Sequence, residues 1–438
     1  MNKIMLSLIL ALALCGCEKE APAALATQEN PPAAQPAATV SADPAPATHA
    51  ASVAEVPAGP ATAEQAAALV KGNNAFAWEI FKQLADPAKP VFFSPYSISS
   101  AMAMLTLGAI GETEKQLKET LAFPDKGTLL GKEFQKLRGD LVSGNEKFTM
   151  TDANSLWLNI GFDVLSSYAQ SLKEFFSGEA RSIEFAKNKE AAATINNWIS
   201  DHTRNLIKDL ISPDALSADT RLVLVNAVSF LAKWETPFDE DGTRKYSLMD
   251  YMGRAGKGEL MRQEGMVNAA EVDGVTAVEL NYAGRKYSLQ AMMPNDVAKF
   301  ASWEKKIDDT YIENITKSLK RENAVLMFPK FTTEYSQSLV PIFKNMGLAS
   351  PFTYSADFTG ISLKEQLFVS EILHKAIVKV YETGTEAAAA TAVMVKCTGM
   401  AMKPPKEIRF NKPFVYLIRE KETGAILFLG HYTVKAEK

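Results

Sequence analysis

The stretch "YETGTEAAAATAVMVKCTGMAMKPP", residues 381–405, lies between two segments that both read as core β-strand, "AIVKV" (376–380) and "RFNKPFVYLI" (409–418). Compact domains rarely interrupt a sheet with so long a run of alanine, threonine and glycine, and connections of this length are usually functional or disordered. Alanine favours helix, but Gly384 and the scattered threonines leave too few good helix formers, and isolated helices this short are marginal in water. Counted by twos, Thr385, Ala387, Ala389, Thr391, Val393 and Val395 share one face, and Glu386, Ala388, Ala390, Ala392, Met394 and Lys396 the other. Both charges therefore fall on one side of a strand whose opposite side is small or apolar throughout. Side chains that small would not drive burial from the outset, yet they suit a segment that slides late between strands already formed.

The rest of the chain narrows the function. It has 438 residues, 47% hydrophobic and 22% charged, with a net charge of −4 and no long basic run. That balance suits a globular core and argues against nucleic acid or an anionic membrane surface as partner. The opening "MNKIMLSLILALALCGC" (1–17) has one lysine, an apolar run too short to span a bilayer as a helix, and small residues before cysteine, as in a secretion signal. Residues 18 to about 62 are mostly Ala, Pro, Thr, Ser and Glu without aromatics, a composition expected to give a disordered tether. The folded domain is then 63–438. Cysteines occur at 15, 17 and 397 only, so that domain holds a single thiol and no internal disulfide.

Amphipathic or apolar periodicity predicts helices over "AALVKGNNAFAWEIFKQLAD" (67–86), around 98–108 and over "KEAAATINNWISDHTRNLIKDLI" (189–211). Near-continuous apolar strands are predicted in "MTDANSLWLN", "TRLVLVNAVSFLAKWETPF", "KYSLQAMMPND", "NAVLMFPKF" and "GAILFLGHYTV". Helices dominate the first half and strands the second, giving a mixed α/β class with large sheets.

Catalytic signatures are missing: no G-x-S-x-G, H-E-x-x-H, C-x-x-C or G-x-G-x-x-G occurs. "GTLLGKEF" (127–134) has the wrong spacing for a phosphate loop and reads as a solvated turn. Of the four histidines, His49 falls in the tether, and His202, His374 and His431 lack a second ligand at metal spacing. His374, inside a strand pattern, reads as a hydrogen-bonded core residue. No metal and no cofactor is expected, and no enzymatic activity.

"ETGTEAAAATA" together with "FNKPFVYLIREKETGAILFLG" (410–430) resembles the hinge and C-terminal strands of the serpin family, suicide inhibitors of proteases. "FFSPYSISSAMAMLTLGA", "NSLWLN", "INNWISDHTRNLIKDLI", "LVNAVSFLAKWETPF", "FPKF", "ADFTGIS" and "FVSEILHKAIVKVYETGTEAAAAT" resemble further serpin segments, in the family's order. The resemblance implies a large central β-sheet plus two further sheets, about eight or nine helices and an exposed reactive loop over about 382–405. It implies a cluster of Ser94, Ser97, Asn226 and His374 beneath the central sheet, Trp234 at the top where the loop enters, and a hinge of Glu382, Gly384, Thr385, Glu386, Ala387, Ala388, Ala389 and Ala390. Family members that have lost inhibition often carry charged or bulky residues or proline in the hinge, and on the small face of this one, at Thr385, Ala387 and Ala389, the chain does not.

The implied activity is irreversible inhibition of serine proteases, and of cysteine proteases as an open extension, through a covalent acyl complex formed by a monomer. Counting forward from Glu382 places the scissile bond at Thr398-Gly399. Counting back from "FNKPF" points to Met402, and Lys396 and Met400 are further alternatives. "LCGC" resembles a bacterial lipobox, which makes Cys17 the lipidated N-terminus, and Glu18 behind it points to the outer membrane. A cleaved signal with release into the periplasm is the other reading. A non-inhibitory binding or chaperone protein of the same family, and a hydrolase using Cys397 or a surface serine, are the competing functions.

Overall fold

The structure, a computed structural model, describes residues 59–141, 148–364, 366–385 and 405–437. The expected signal, Cys17 and nearly all of the tether lie outside the described residues.

The chain opens with helix α1 (Ala63–Leu84), started by a capping box in which Thr62 and Gln65 satisfy each other's backbone N–H groups. Strand β1 (Val91–Phe93) leads into α2 (Pro95–Gly108), whose N-cap is Ser94 and whose first position is proline. Helix α2 is apolar all round and almost wholly buried, as its sequence predicts. Helices α3 (Gly111–Thr120) and α4 (Gly127–Leu141) follow. "GTLLGKEF" is therefore not a turn. It begins α4, because Leu130, Phe134, Leu137 and Leu141 recur on one face and are all buried.

Strand β2 (Phe148–Asn159), helix α5 (Ser166–Ser171), strand β3 (Glu179–Ile183) and helix α6 (Asn188–His202) come next. The helix predicted to reach residue 211 stops at His202. Thr203 bonds the Ile199 carbonyl and accepts from the Ile207 N–H, while Arg204 and Asn205 take left-handed backbone angles. The turned segment still buries Ile207 and Ile211.

The remaining strands are β4 (Leu222–Lys233), β5 (Asp239–Met249), β6 (Ala255–Val272), β7 (Val275–Asn281) and β8 (Tyr287–Pro294). Helices α7 (Phe300–Trp303) and α8 (Asp309–Ser318) precede β9 (Lys320–Ser338), and α9 (Val340–Asn345) precedes β10 (Val369–Tyr381). The two-residue β11 (Gly384–Thr385), then β12 (Lys406–Arg409), β13 (Phe414–Glu420) and β14 (Ile426–Tyr432) complete the set, with nine α-helices among the described residues.

The large central sheet has the order β9-β10-β11-β4-β2-β3. Strand β9 is long enough to serve twice: Phe331–Ser338 pair with β10, while Lys320–Lys330 pair with β6 and carry the hydrogen bonding on into β7, β8, β13, β14 and β1. Successive residues of β4 alternate between two cores. Leu222 and Leu224 join the large core with α2, and Val223 and Val225 join Trp157, Ile195 and Trp198 under α6. Both faces are thus covered, which is why β4 reads as unbroken apolar sequence.

Phe92 in β1 is 1% exposed and stacks on Phe428 at 5.1 Å and on Tyr416 at 6.0 Å. Phe92→Ala is expected to lower stability by about 3–5 kcal/mol, read as a lower urea midpoint at unchanged slope.

Candidate functional site

Strands β4 and β10 are parallel neighbours from Leu222/Val369 to Ser229/Ile377, and above that point they separate. The gap holds β11. Gly384 pairs with Tyr381 on one side and Lys233 on the other, and Thr385 with Val380 and Ala232. The first residues of the 381–405 stretch are therefore already a strand within the central sheet. Gly384 is required there by proximity, since a Cβ on it would lie 2.2 Å from the Ala232 carbonyl oxygen.

Side chains hold this end. Trp234 donates its indole N–H to the Tyr381 carbonyl at 2.8 Å and its backbone N–H to the Thr383 carbonyl at 3.0 Å, and it stacks on Tyr282 at 4.5 Å. The Tyr282 hydroxyl meets the Thr385 hydroxyl at 2.7 Å, and Thr385 is 1% exposed. Glu382 accepts from Thr243 at 2.6 Å and Lys330 at 3.0 Å. Burial opposes its charge, but these bonds outweigh that and hold the carboxyl below its ordinary pKa.

Lower down, a buried polar chain crosses the β4–β10 seam. The Ser94 backbone N–H donates to His374 Nε2 at 3.2 Å, so Nδ1 must carry the ring proton, which it donates to Asn226 Oδ1 at 2.6 Å. Asn226 Nδ2 donates to Ser97 Oγ at 2.5 Å, to the Ser97 carbonyl at 2.9 Å and to Asn154 Oδ1 at 2.6 Å. Ser97 Oγ and Asn154 Nδ2 both donate to Asp152 Oδ1 at 2.9 Å. Burial drives the His374 pKa down to about 3, so the ring is neutral at physiological pH.

The structure thus brings Ser94, Ser97, Asn226 and His374 together, and bonds Trp234 to the Tyr381 and Thr383 carbonyls that flank Glu382. The two groups stand at different heights of one sheet. Glu386, Ala387, Ala388, Ala389 and Ala390 of the hinge, and Lys396, Thr398, Gly399, Met400 and Met402, lie outside the described residues. Sequence reading missed Tyr282, Thr243 and Lys330, which come from the β7–β8 turn, β5 and β9 respectively and carry no local signal. It also missed Asp152, whose signal was available as the one charged residue in β2. Among the described residues no cluster of three or more His, Cys, Asp or Glu is placed to hold a metal.

Gly384→Val is expected to expel β11 from the gap. The check is amide hydrogen exchange, which should rise at residues 384–385 and at Ala232 and Lys233, where the partners lose protection.

Residues 71–434 match the family described as "Serpin (serine protease inhibitor)". An uncharacterised serpin-like protein of Thermococcus kodakarensis is 36% identical over 369 residues, 84% of this chain and 85% of its own length. Mouse neuroserpin is 34% identical over 351 residues, 78% of this chain and 85% of its own. Human thyroxine-binding globulin, solved with thyroxine, shares the fold at a TM-score of 0.78 and 26% identity, over 85% of this chain and 100% of that one. A family match across most of the chain, with relatives above 30% identity along the same span, makes this protein a member of the serpin family.

Proposed function

We propose that this serpin is an inhibitor that traps its target: a serine protease acylates itself on the loop, and the cleaved loop inserts between β4 and β10 before the acyl-enzyme can hydrolyse. The observation that carries this reading is β11, since the segment that would insert has its first two residues seated in the gap. Further pairing would add residues whose inward-facing members are Thr, Ala and Val. If about ten backbone bonds form at roughly 0.5–1.5 kcal/mol net each, the gain is on the order of 10 kcal/mol. That equals the whole stability of an ordinary domain. Each ~1.4 kcal/mol of it placed on the deacylation barrier slows turnover tenfold.

The relative solved with thyroxine favours a second reading, a binding protein that uses the same fold without trapping. Cleavage of the loop separates the two. Trapping predicts an SDS-stable adduct and a large rise in melting temperature of the cleaved protein, whereas a binding protein gives neither.

Incubation with trypsin, an elastase and a subtilisin is expected to yield a covalent adduct with at least one of them, and intact mass of the released peptide will identify the scissile bond. Thr385→Arg places an unpaired charge at a position 1% exposed. It is expected to abolish the adduct while leaving cleavage intact, and undiminished adduct with that variant would refute insertion. We also propose lipidation at Cys17 and an outer-membrane address, on the strength of "LCGC" and Glu18. Cys17→Ser should then lose incorporation of labelled palmitate and move to the soluble fraction.

A further inference from the structure

The buried chain across the seam runs in one direction. Starting from the Ser94 N–H, each member accepts from the one before and donates to the next: His374, Asn226, Ser97 and last Asp152. Asp152 is the terminal acceptor and takes a second bond from Asn154, both on Oδ1. Its other oxygen, Oδ2, is enclosed and has no hydrogen-bond partner.

A carboxylate at the accepting end of such a chain polarises every link. Ser97, donating to an anion, becomes a better acceptor for Asn226, and Asn226 in turn a better acceptor for His374. The link between Asn226 and His374 joins directly paired residues of β4 and β10, so it must break before a strand can enter at that depth.

We propose that Asp152 is a positioning residue whose charge sets the strength of the Asn226–His374 bond, so that a proton on Asp152 eases the parting of β4 from β10. This rests on the reading that the loop inserts between those strands, and it adds a pH control to it.

The surroundings put that proton within a biological range. Burial pushes the Asp152 carboxyl up to about 6, opposed by the Ser97 and Asn154 bonds and by Arg138 on α4, whose Nε is enclosed and unpaired. Tyr96 on α2 faces the same charge and is held neutral by its own burial. Tyr287 on β8, beyond Tyr96, is likewise neutral and donates to the Leu141 carbonyl. His374 on β10 stays neutral throughout. A carboxyl raised from 3.8 to about 6 favours its protonated form in the fold. Its contribution to native stability is therefore fullest below 3.8, falls as pH rises to about 6, and is level above that.

The test uses the full-length protein and an N-acetylated synthetic peptide of residues 385–396 with Glu386 replaced by Gln, so that the peptide does not titrate between pH 5 and 8. Uptake of the peptide is followed on native gels. The wild type is expected to take it up on the order of tenfold faster at pH 5 than at pH 7.5, with a midpoint near 6. Asp152→Asn should be fast and pH-independent, and yet more resistant to urea than the wild type at pH 7.5. A variant that merely loosened the fold would not combine the two. Glu133→Gln, which removes another buried carboxyl of raised pKa, should keep the wild-type profile. As a measure free of any variant, the His374 Nδ1–H proton resonance should shift with a midpoint near pH 6. A flat wild-type profile, a pH-dependent Asp152→Asn, or no uptake at any pH overturns the proposal. Covalent trapping with flat uptake rejects Asp152 alone, and pH-dependent uptake without trapping rejects the inhibitor reading alone.

Discussion

The central sheet is governed by a backbone requirement: the N–H and C=O groups of β4 and β10 must be paired when they are buried. From Leu222 to Ser229 and from Val369 to Ile377 the two strands pair with each other, and over their upper ends they cannot, because they diverge. Two residues, Gly384 and Thr385, fill the place where both would otherwise be unpaired. Everything proposed for the loop depends on that geometry, since a gap that accepts two residues is the start of a gap that accepts more.

The lower seam imposes the opposite tendency. His374, Asn226 and Asn154 stand side by side on β10, β4 and β2, and α2 supplies the Ser94 and Ser97 contacts from beneath. Buried polar groups in such a row are costly to separate, because each would be left without a partner in a low-dielectric interior. The sheet is thus open at one end and latched in the middle. Insertion has to supply more from new pairing than it loses at the latch.

Local sequence made most of the fold legible. The helical periodicity of α1 and α2, the apolar β4 and the C-terminal strands all declare themselves locally, although the caps at Thr62 and Ser94 do not. Where reading failed, a tertiary contact had overridden a local cue. "GTLLGKEF" carries two glycines and looks like a turn, but Leu130 and Phe134 find a buried surface that makes helix the better state. The α6 pattern continues past His202, but Thr203 closes its own turn and sends Ile207 and Ile211 into the core from a non-helical path.

By itself the sequence determined that the 381–405 stretch has a strand pattern with one small, apolar face, because alternation is a property of adjacent residues. It also marked His374 as a histidine inside a strand pattern, whereas Asn226 entered only through the family resemblance. Only the tertiary structure decided that His374, Asn226, Ser97 and Asp152 form one directed chain, and that Tyr282, Thr243 and Lys330 hold the hinge. Those contacts join residues up to 148 positions apart. Their partners are chosen by strand register and helix packing, which no local pattern encodes.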